Sequence, residues 1–598
     1  MQLTWLDWLV IAVYFAMNLA IGLFYYRKAS ASIGDFFISG RQVPWWLAGT
    51  SMVATTFGAD TPLVVTAIVY QYGISGNWLW WSMALSGMMT VFLFARLWRR
   101  AGVLTDMEFA ELRYAGKPAA FLRGFRALYL ALPVNTIIMG WVNLAMAKVL
   151  ELTLGIKKLD AVMFCLAMTV IYATVSGLWA VLWTDLLQFV LKMTMVIVLA
   201  VVAVRAVGGI PVLVQQLSKH LSPEGSSYLS FTPDWTSGWF MMFLVYISVN
   251  WWASWYPGAE PGGGGYVAQR IFSAKNEEHS LAATLWFNIA HYALRPWPWI
   301  LTALVAVILY PGAKDPEQSY IRVMIAYLPP SLRGLMLAGF AAAYMSTIGT
   351  HINLGASYLI NDFYRRFLKK DGDERHYVRA SRIATVVVTL LAAGATYYMD
   401  SITSAWKFLI AIGAGAGLVF MLRWFWWRIN AWSEVAAMSA AALSSLFLQS
   451  RMGIGAVERL RVFDPLLPAG PLSSAHPHGF AWLMILTTAF TTFSWITVTL
   501  LTPPEPEWKL REFFRKVRPA DLGWKRIARL EGLEGRQTLK WSLIDWVAGC
   551  GLIYFALFGV GSIIFGQTFR GVCMLIGVAA LLRFLFWDLK RRGWESLT

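Results

Sequence analysis

Apolar stretches of about 20 residues recur along the whole chain, each long enough to cross a hydrocarbon layer about 30 Å thick as a helix. About fifteen are legible, near 5–25, 45–70, 76–96, 127–150, 160–176, 178–206, 237–257, 283–310, 331–362, 383–399, 402–426, 432–450, 479–501, 544–566 and 570–588. Only Ser176-Gly177 separates the fifth from the sixth. The first stretch has no basic leader and no small-residue cleavage site, and Arg27-Lys28 follow it directly, so a retained helix is expected rather than a secretory signal. The pattern predicts an all-α polytopic membrane protein with about 15 transmembrane helices.

The polar segments between these stretches carry unequal charge. Arg27, Lys28 and Arg41 follow the first stretch; Arg96, Arg99, Arg100, Arg113, Lys117, Arg123 and Arg126 follow the third; Arg365, Arg366, Lys369, Lys370, Arg375, Arg379 and Arg382 follow the ninth. The segment 502–543 and the terminal Lys590-Arg591-Arg592 continue the series, whereas the alternate loops hold roughly one third as many Lys and Arg. Basic loops stay on the cytoplasmic side, so the N-terminus is expected outside and the C-terminus inside, in the plasma (inner) membrane.

Composition agrees. Hydrophobic residues make up 58% of the chain and charged residues 14%, against about 25% charged in soluble domains. The net charge of +17 sits in short loops, which fits membrane orientation and not nucleic-acid binding. Trp45-Trp46, Trp78 with Trp80-Trp81, and Trp424 with Trp426-Trp427 stand at stretch ends, where they are expected to anchor and pack. The segment 505–540, with Phe513, Phe514 and Trp524 among basic residues, suits either an amphipathic helix on the anionic inner leaflet or a solvated linker. No segment is polar enough for a fused kinase, nucleotidase or sensor domain.

Function is then sought among polar groups that a bilayer penalises, at about 2.5–3.5 kcal/mol for a central charge. They are Asp60, Lys148, Asp185, Lys192, His291, Arg295 and His351. The second stretch reads Phe57-Gly-Ala-Asp-Thr-Pro62, in which Gly, an acid and Pro interrupt the helical ladder and free backbone groups. Unwound backbone at membrane depth lines cavities, and transporters build ion and solute sites there. The ninth stretch offers the hydroxyls of Ser346, Thr347 and Thr350, two of them one turn apart, as uncharged oxygen ligands for a hard monovalent cation. His351 is expected to be a satisfied interior histidine. Lys192 lies two turns beyond Asp185 on one helix face, where its charge competes with a cation. Gly413, Gly415 and Gly417 are expected to permit close helix packing.

Three strings carry a family resemblance: Tyr172 to Gln188, which contains Trp183-Thr-Asp-Leu-Leu-Gln188; Ala268-Gln-Arg-Ile-Phe-Ser-Ala-Lys275; and Ala342-Ala-Tyr-Met-Ser-Thr-Ile-Gly-Thr-His-Ile-Asn353, with Asp362-Phe-Tyr364 following. With these the chain resembles the sodium:solute symporter family, which includes proline, sialic acid and sugar carriers, over roughly residues 1–430. The resemblance implies a five-plus-five inverted repeat of the leucine-transporter type, with extra N- and C-terminal helices. It divides the chain into an N-terminal helix and loop (1–44), a first repeat (45–207), an outer loop (208–236), a second repeat (237–426) and accessory helices (427–598) that include the basic segment 502–543.

Carried over position by position, the resemblance implies a sodium site made by the carbonyls of Ala54, Phe57 and Ala343 and the hydroxyls of Ser346 and Thr347. A second cation position resembles Asp185 with Ser346 and Thr350, although Gly349 stands where some members have a hydroxyl. For substrate, the matching positions are Asp60, Thr61, Glu260, His291 and Arg295. Arg295 is expected either to hold a carboxylate or to pair with Asp60 or Glu260. The implied activity is Na⁺-coupled symport of a small polar or anionic solute by alternating access, with Na⁺ the only metal. The alternatives are a proton-coupled or sodium-independent carrier of the same fold using Lys192 or Asp185, a passive receptor or channel, and an intramembrane enzyme using Ser346 or Asp185 with His351. The five-residue spacing of Ser346 and His351 disfavours the enzyme, because the two side chains diverge on one helix.

Overall fold

No water is available at membrane depth to satisfy free amides, so apolar stretches of this length close their hydrogen bonds internally as helices. The computed structural model describes residues 3–29, 39–173, 178–255, 260–535 and 539–592. Each expected stretch is helical over most of its described length, and pairing between extended segments is limited to two isolated bridges among the described residues. Among the described residues ten helices are long and apolar enough to cross a membrane, or twelve when two bent pairs each count as one span. Length and composition of these helices do not confirm the expected count of fifteen. The first stretch is one helix of 25 residues, Trp5–Ala29, and the seventh gives the shorter apolar helix Phe240–Ala253.

The two bent pairs have local causes. Trp45–Thr56 and Thr61–Tyr72 meet at 59° across the expected Gly-Asp-Pro interruption. Ile402–Ile412 and Ala416–Leu422 meet at 56° at Gly415, whose φ of +89° suits glycine and whose Cβ would stand 2.6 Å from the Thr491 side chain. Gly413 and Gly417 press against the backbone of Trp255 and Trp252. The glycines of this stretch thus give the close packing expected of them and also a bend, which their spacing did not announce.

The segment Trp45–Thr56 lies inside the bundle, packed on Glu277–Asn288, Leu178–Ala206 and Leu332–Ser357. A short bridge fixes its start: Val43 N–H donates to the Ser273 carbonyl at 3.0 Å, and Lys275 N–H donates to the Val43 carbonyl at 3.1 Å.

Ion pairs mark the two ends of the continuous helix Gly116–Leu154. Arg123 meets Asp362 at 2.6 Å, and Lys148 meets both Asp315 and Glu317 at 2.7 Å. At 1.5 Å per residue the two basic residues are about 37 Å apart, slightly more than a hydrocarbon core of about 30 Å. The intramembrane Lys148 is therefore a tie at one end of the bundle. Arg113 and Arg126, expected in a basic cytoplasmic loop, are buried in protein.

The 505–540 segment differs from both readings. Glu507–Val517 is an amphipathic helix, but Leu510, Phe513, Phe514 and Val517 are buried against Trp98, Phe109, Trp424 and Trp524. Protein, not lipid, covers its apolar face, and the Arg113 guanidinium stacks over the Phe513 and Trp524 rings. Likewise Trp81 and Trp424 are fully buried packing residues rather than interfacial anchors.

Candidate functional site

The interruption begins where Phe57 leaves the helical region, its N–H still bonded to the Val53 and Ala54 carbonyls, and it ends where Pro62 opens the next helix. Gly58 has no room for a side chain, because a Cβ there would run into the Asp60 carboxylate and reach the Thr347 hydroxyl at 3.4 Å. The Ala54 carbonyl, which also takes the Phe57 N–H at 3.2 Å, and the Phe57 carbonyl accept hydrogen bonds from the Lys192 ammonium at 2.8 and 3.2 Å.

Helix Leu332–Ser357 faces this gap. Thr347 donates to the Thr55 carbonyl at 2.9 Å and to the Ala343 carbonyl at 3.0 Å. Ser346, one residue earlier, turns to Asp185 and donates at 2.7 Å. Ser51 donates to the other Asp185 oxygen at 2.6 Å, and the Arg270 guanidinium stands 3.8 Å from it. A carboxylate that is 1% exposed is thus held by two hydroxyls and a cation, which is what keeps such a burial affordable in structural terms.

Beside the gap lies a cavity of about 100 Å³. Thr55, Thr56, Gly58, Asp60, Thr61 and Thr347 line one side, and Trp80, Trp141, Tyr266, Phe287, His291, Tyr292, Arg295 and Trp406 line much of the rest. Trp406 donates its indole N–H to Asp60 at 3.1 Å. His291 sits in a wide helical turn, Ile289–Leu294, which brings it against Arg295, four residues on. Arg295 also donates to the Val53 carbonyl at 3.2 Å and lies over the rings of Phe57 and Trp299. Its buried Nε has no hydrogen-bond partner.

The profile described as the sodium:solute symporter family matches residues 36–441, well over half of the chain. This chain belongs to that family. Sodium-coupled symport of a solute is the activity that membership carries, so the protein is a transporter and not an enzyme. The sodium/glucose cotransporter of Vibrio parahaemolyticus is 24% identical over 475 residues, covering 75% of this chain and 86% of the relative. Sodium/glucose cotransporter 1 of Oryctolagus cuniculus is 24% identical over 566 residues, covering 84% and 81%. Among solved structures, a Na⁺-coupled sialic acid symporter in a substrate-bound outward-open state superposes with a TM-score of 0.67 at 18% identity, covering 84% of this chain and 99% of that one. That likeness establishes the fold, an inverted-repeat transporter core of the leucine-transporter type.

Through Thr347, which bonds both the Thr55 and the Ala343 carbonyls, the symporter brings Ala343 and Thr347 beside the gap at Ala54 and Phe57, while the neighbouring Ser346 hydroxyl turns to Asp185. The oxygens expected to hold sodium are the hard, uncharged ligands an alkali ion takes, yet each is already engaged: the Ala54 and Phe57 carbonyls by Lys192, the Ala343 carbonyl by Thr347, and the two hydroxyls as donors. At the second cation position Asp185 meets Ser346, but the Thr350 hydroxyl has no hydrogen-bond partner and Arg270 already supplies a positive charge. Asp60, Thr61, His291 and Arg295 all line the cavity.

Glu260 does not. It faces Arg126 at 3.6 Å and Arg423 at 3.5 Å, and both arginines also hold Glu434. A buried acid goes where a cation compensates it, and these partners are far away in sequence. Nor does Arg295 form an ion pair with Asp60 or Glu260 among the described residues. His351 is the satisfied histidine expected, bonded through Nδ1 to Asn135 at 2.6 Å. The aromatic lining from Trp80, Trp141, Tyr266 and Trp406 was missed, because an aromatic on a helix face carries no sign of which face lines a cavity.

Gly58 yields a direct test. Gly58→Ala is expected to cost about 1–3 kcal/mol of stability, as overpacking does, and to lower uptake at least about tenfold by displacing Asp60 and Thr347. Thermal unfolding and initial uptake rates measured together check both.

Proposed function

We propose that this symporter carries a small polar or anionic solute inward by alternating access, with the solute in the cavity beside Asp60 and Arg295 and the coupling cation in the adjacent gap. The observation that carries this reading is their shared wall. Gly58 and Thr347 line the solute cavity, and Thr347 also bonds the Thr55 carbonyl of the interrupted helix. A cation held by the oxygens of Ala54, Phe57, Ala343, Ser346 and Thr347 therefore orders the floor on which solute rests. Arg295, with an unpartnered Nε, offers a planar donor set to a carboxylate, while Asp60, Thr61 and the indoles suit hydroxyls and ring faces.

A four-helix bundle drawn from the two repeats, 45–207 and 237–426, is proposed to rock against its scaffold about this site, with the N-terminus outside and the C-terminus cytoplasmic in the plasma membrane. A tenfold Na⁺ gradient supplies about 1.4 kcal/mol and a 100 mV potential about 2.3 kcal/mol more per charge. Together, near 3.7 kcal/mol, they sustain roughly 500-fold accumulation of a neutral solute. Uptake of labelled monosaccharides, amino acids and sugar acids by proteoliposomes, with inward Na⁺ or choline gradients, tests the reading. Concentrative uptake is expected only with Na⁺, and equal uptake in choline overturns the coupling.

A further inference from the structure

A lysine ammonium is retained at membrane depth only where something solvates it. Lys192, 2% exposed, reaches across from helix Leu178–Ala206 to the interruption and donates to the Ala54 and Phe57 carbonyls at 2.8 and 3.2 Å. The Phe57 ring lies 5.0 Å from its nitrogen. Among the described residues no carboxylate stands within ion-pair distance of it. Asp185, on the same helix, is engaged by Ser51, Ser346 and Arg270, and the other charge acting on Lys192 is the cation Arg295. The carbonyls at the break therefore serve this ammonium as they would serve an alkali ion.

We propose that Lys192 is a tethered cation that holds the coupling-ion position of this symporter, so that Na⁺ reaches the Ala54 and Phe57 carbonyls only by expelling the ammonium. The inference rests on the reading that this gap is the coupling-ion position. Two positive charges do not share one pair of carbonyls in a low-dielectric interior, because like charges a few ångströms apart repel strongly. Occupancy is thus exclusive. The covalent tether keeps the ammonium present at an effective concentration of about millimolar or more, a standing competitor for the free ion. It also bridges the interrupted helix to Leu178–Ala206, whereas a free ion would bridge it to Leu332–Ser357.

The test is a Na⁺ titration of the purified full-length protein, at constant ionic strength in choline chloride, read by intrinsic tryptophan fluorescence. Lys192→Met keeps the aliphatic stem and removes the charge, so its half-saturating Na⁺ is expected to fall at least about tenfold below wild type. Lys192→Gln is the second neutral variant should the methionine form not fold. Lys192→Arg retains a cation and is expected to bind Na⁺ no better than wild type. Equal half-saturation in wild type and the neutral variants overturns the proposal, as does tighter Na⁺ binding by Lys192→Arg. Wild-type uptake separates this from the coupling reading. Sodium-driven uptake with identical titrations refutes the tethered cation alone, whereas sodium-independent uptake by wild type, with saturable Na⁺ binding gained in Lys192→Met, refutes the coupling alone.

Discussion

Asp185→Ala is expected to lower stability by about 3–5 kcal/mol, the usual cost of removing one partner from a buried charge pair, and to abolish uptake. The carboxylate accepts from Ser51 and Ser346 at 2.6 and 2.7 Å and faces Arg270 at 3.8 Å. Without it the Arg270 guanidinium keeps, among the described residues, only the neutral acceptors Ser51 at 3.2 Å, Gln269 at 2.8 Å and Thr55 at 3.5 Å. An uncompensated cation inside the bundle accounts for most of the loss. The double variant Asp185→Ala with Arg270→Met is therefore expected to recover much of the stability, since it removes the orphan charge. It is not expected to recover uptake, because Ser346 would have lost the acceptor that orients it beside the gap. Thermal unfolding of the single and double variants, with uptake assayed on the same preparations, checks the prediction. A double variant no more stable than Asp185→Ala contradicts it.

Glu434→Ala carries the second large effect, again about 3–5 kcal/mol of stability. Glu434 accepts from Tyr114 at 2.6 Å and pairs with Arg126 at 2.9 Å and Arg423 at 3.2 Å. With Glu260 these groups form a buried set of two acids and two arginines, and the alanine variant leaves it one positive charge in excess. Glu434→Gln keeps the acceptor oxygen and the volume, so it separates lost charge from lost packing. It is expected to lie between wild type and alanine in melting temperature. If Glu434→Ala unfolds at the wild-type temperature, the cluster contributes nothing to holding these helices together.

These two acids show how differently the chain discloses its parts. Asp185 stood in a string with a family likeness, Trp183-Thr-Asp-Leu-Leu-Gln188, and its place in an apolar helix marked it as costly. Glu434 occupies an equally costly position but went unremarked beside the polar start of its helix. Glu260 was assigned to solute because it precedes the Gln269-Arg270 motif, whereas its partners Arg126 and Arg423 lie more than a hundred residues away and draw it elsewhere. The helix Glu507–Val517 was legible as amphipathic. Its partner was not, because an apolar face reads the same whether lipid or Trp424 covers it.

The sequence by itself determined the helices, the break after Phe57 and the supply of hydroxyl oxygens on Leu332–Ser357. These depend on contacts within a few residues: Gly and Pro interrupt a ladder wherever they fall, and hydroxyls one turn apart share a face. Only the tertiary structure decided which charge meets which partner. Lys192 on the Ala54 and Phe57 carbonyls, Arg270 beside Asp185 and the Glu260–Arg126–Arg423–Glu434 cluster all join separate helices. In a low-dielectric interior a charge must be compensated within a few ångströms, and packing alone sets which group stands that near.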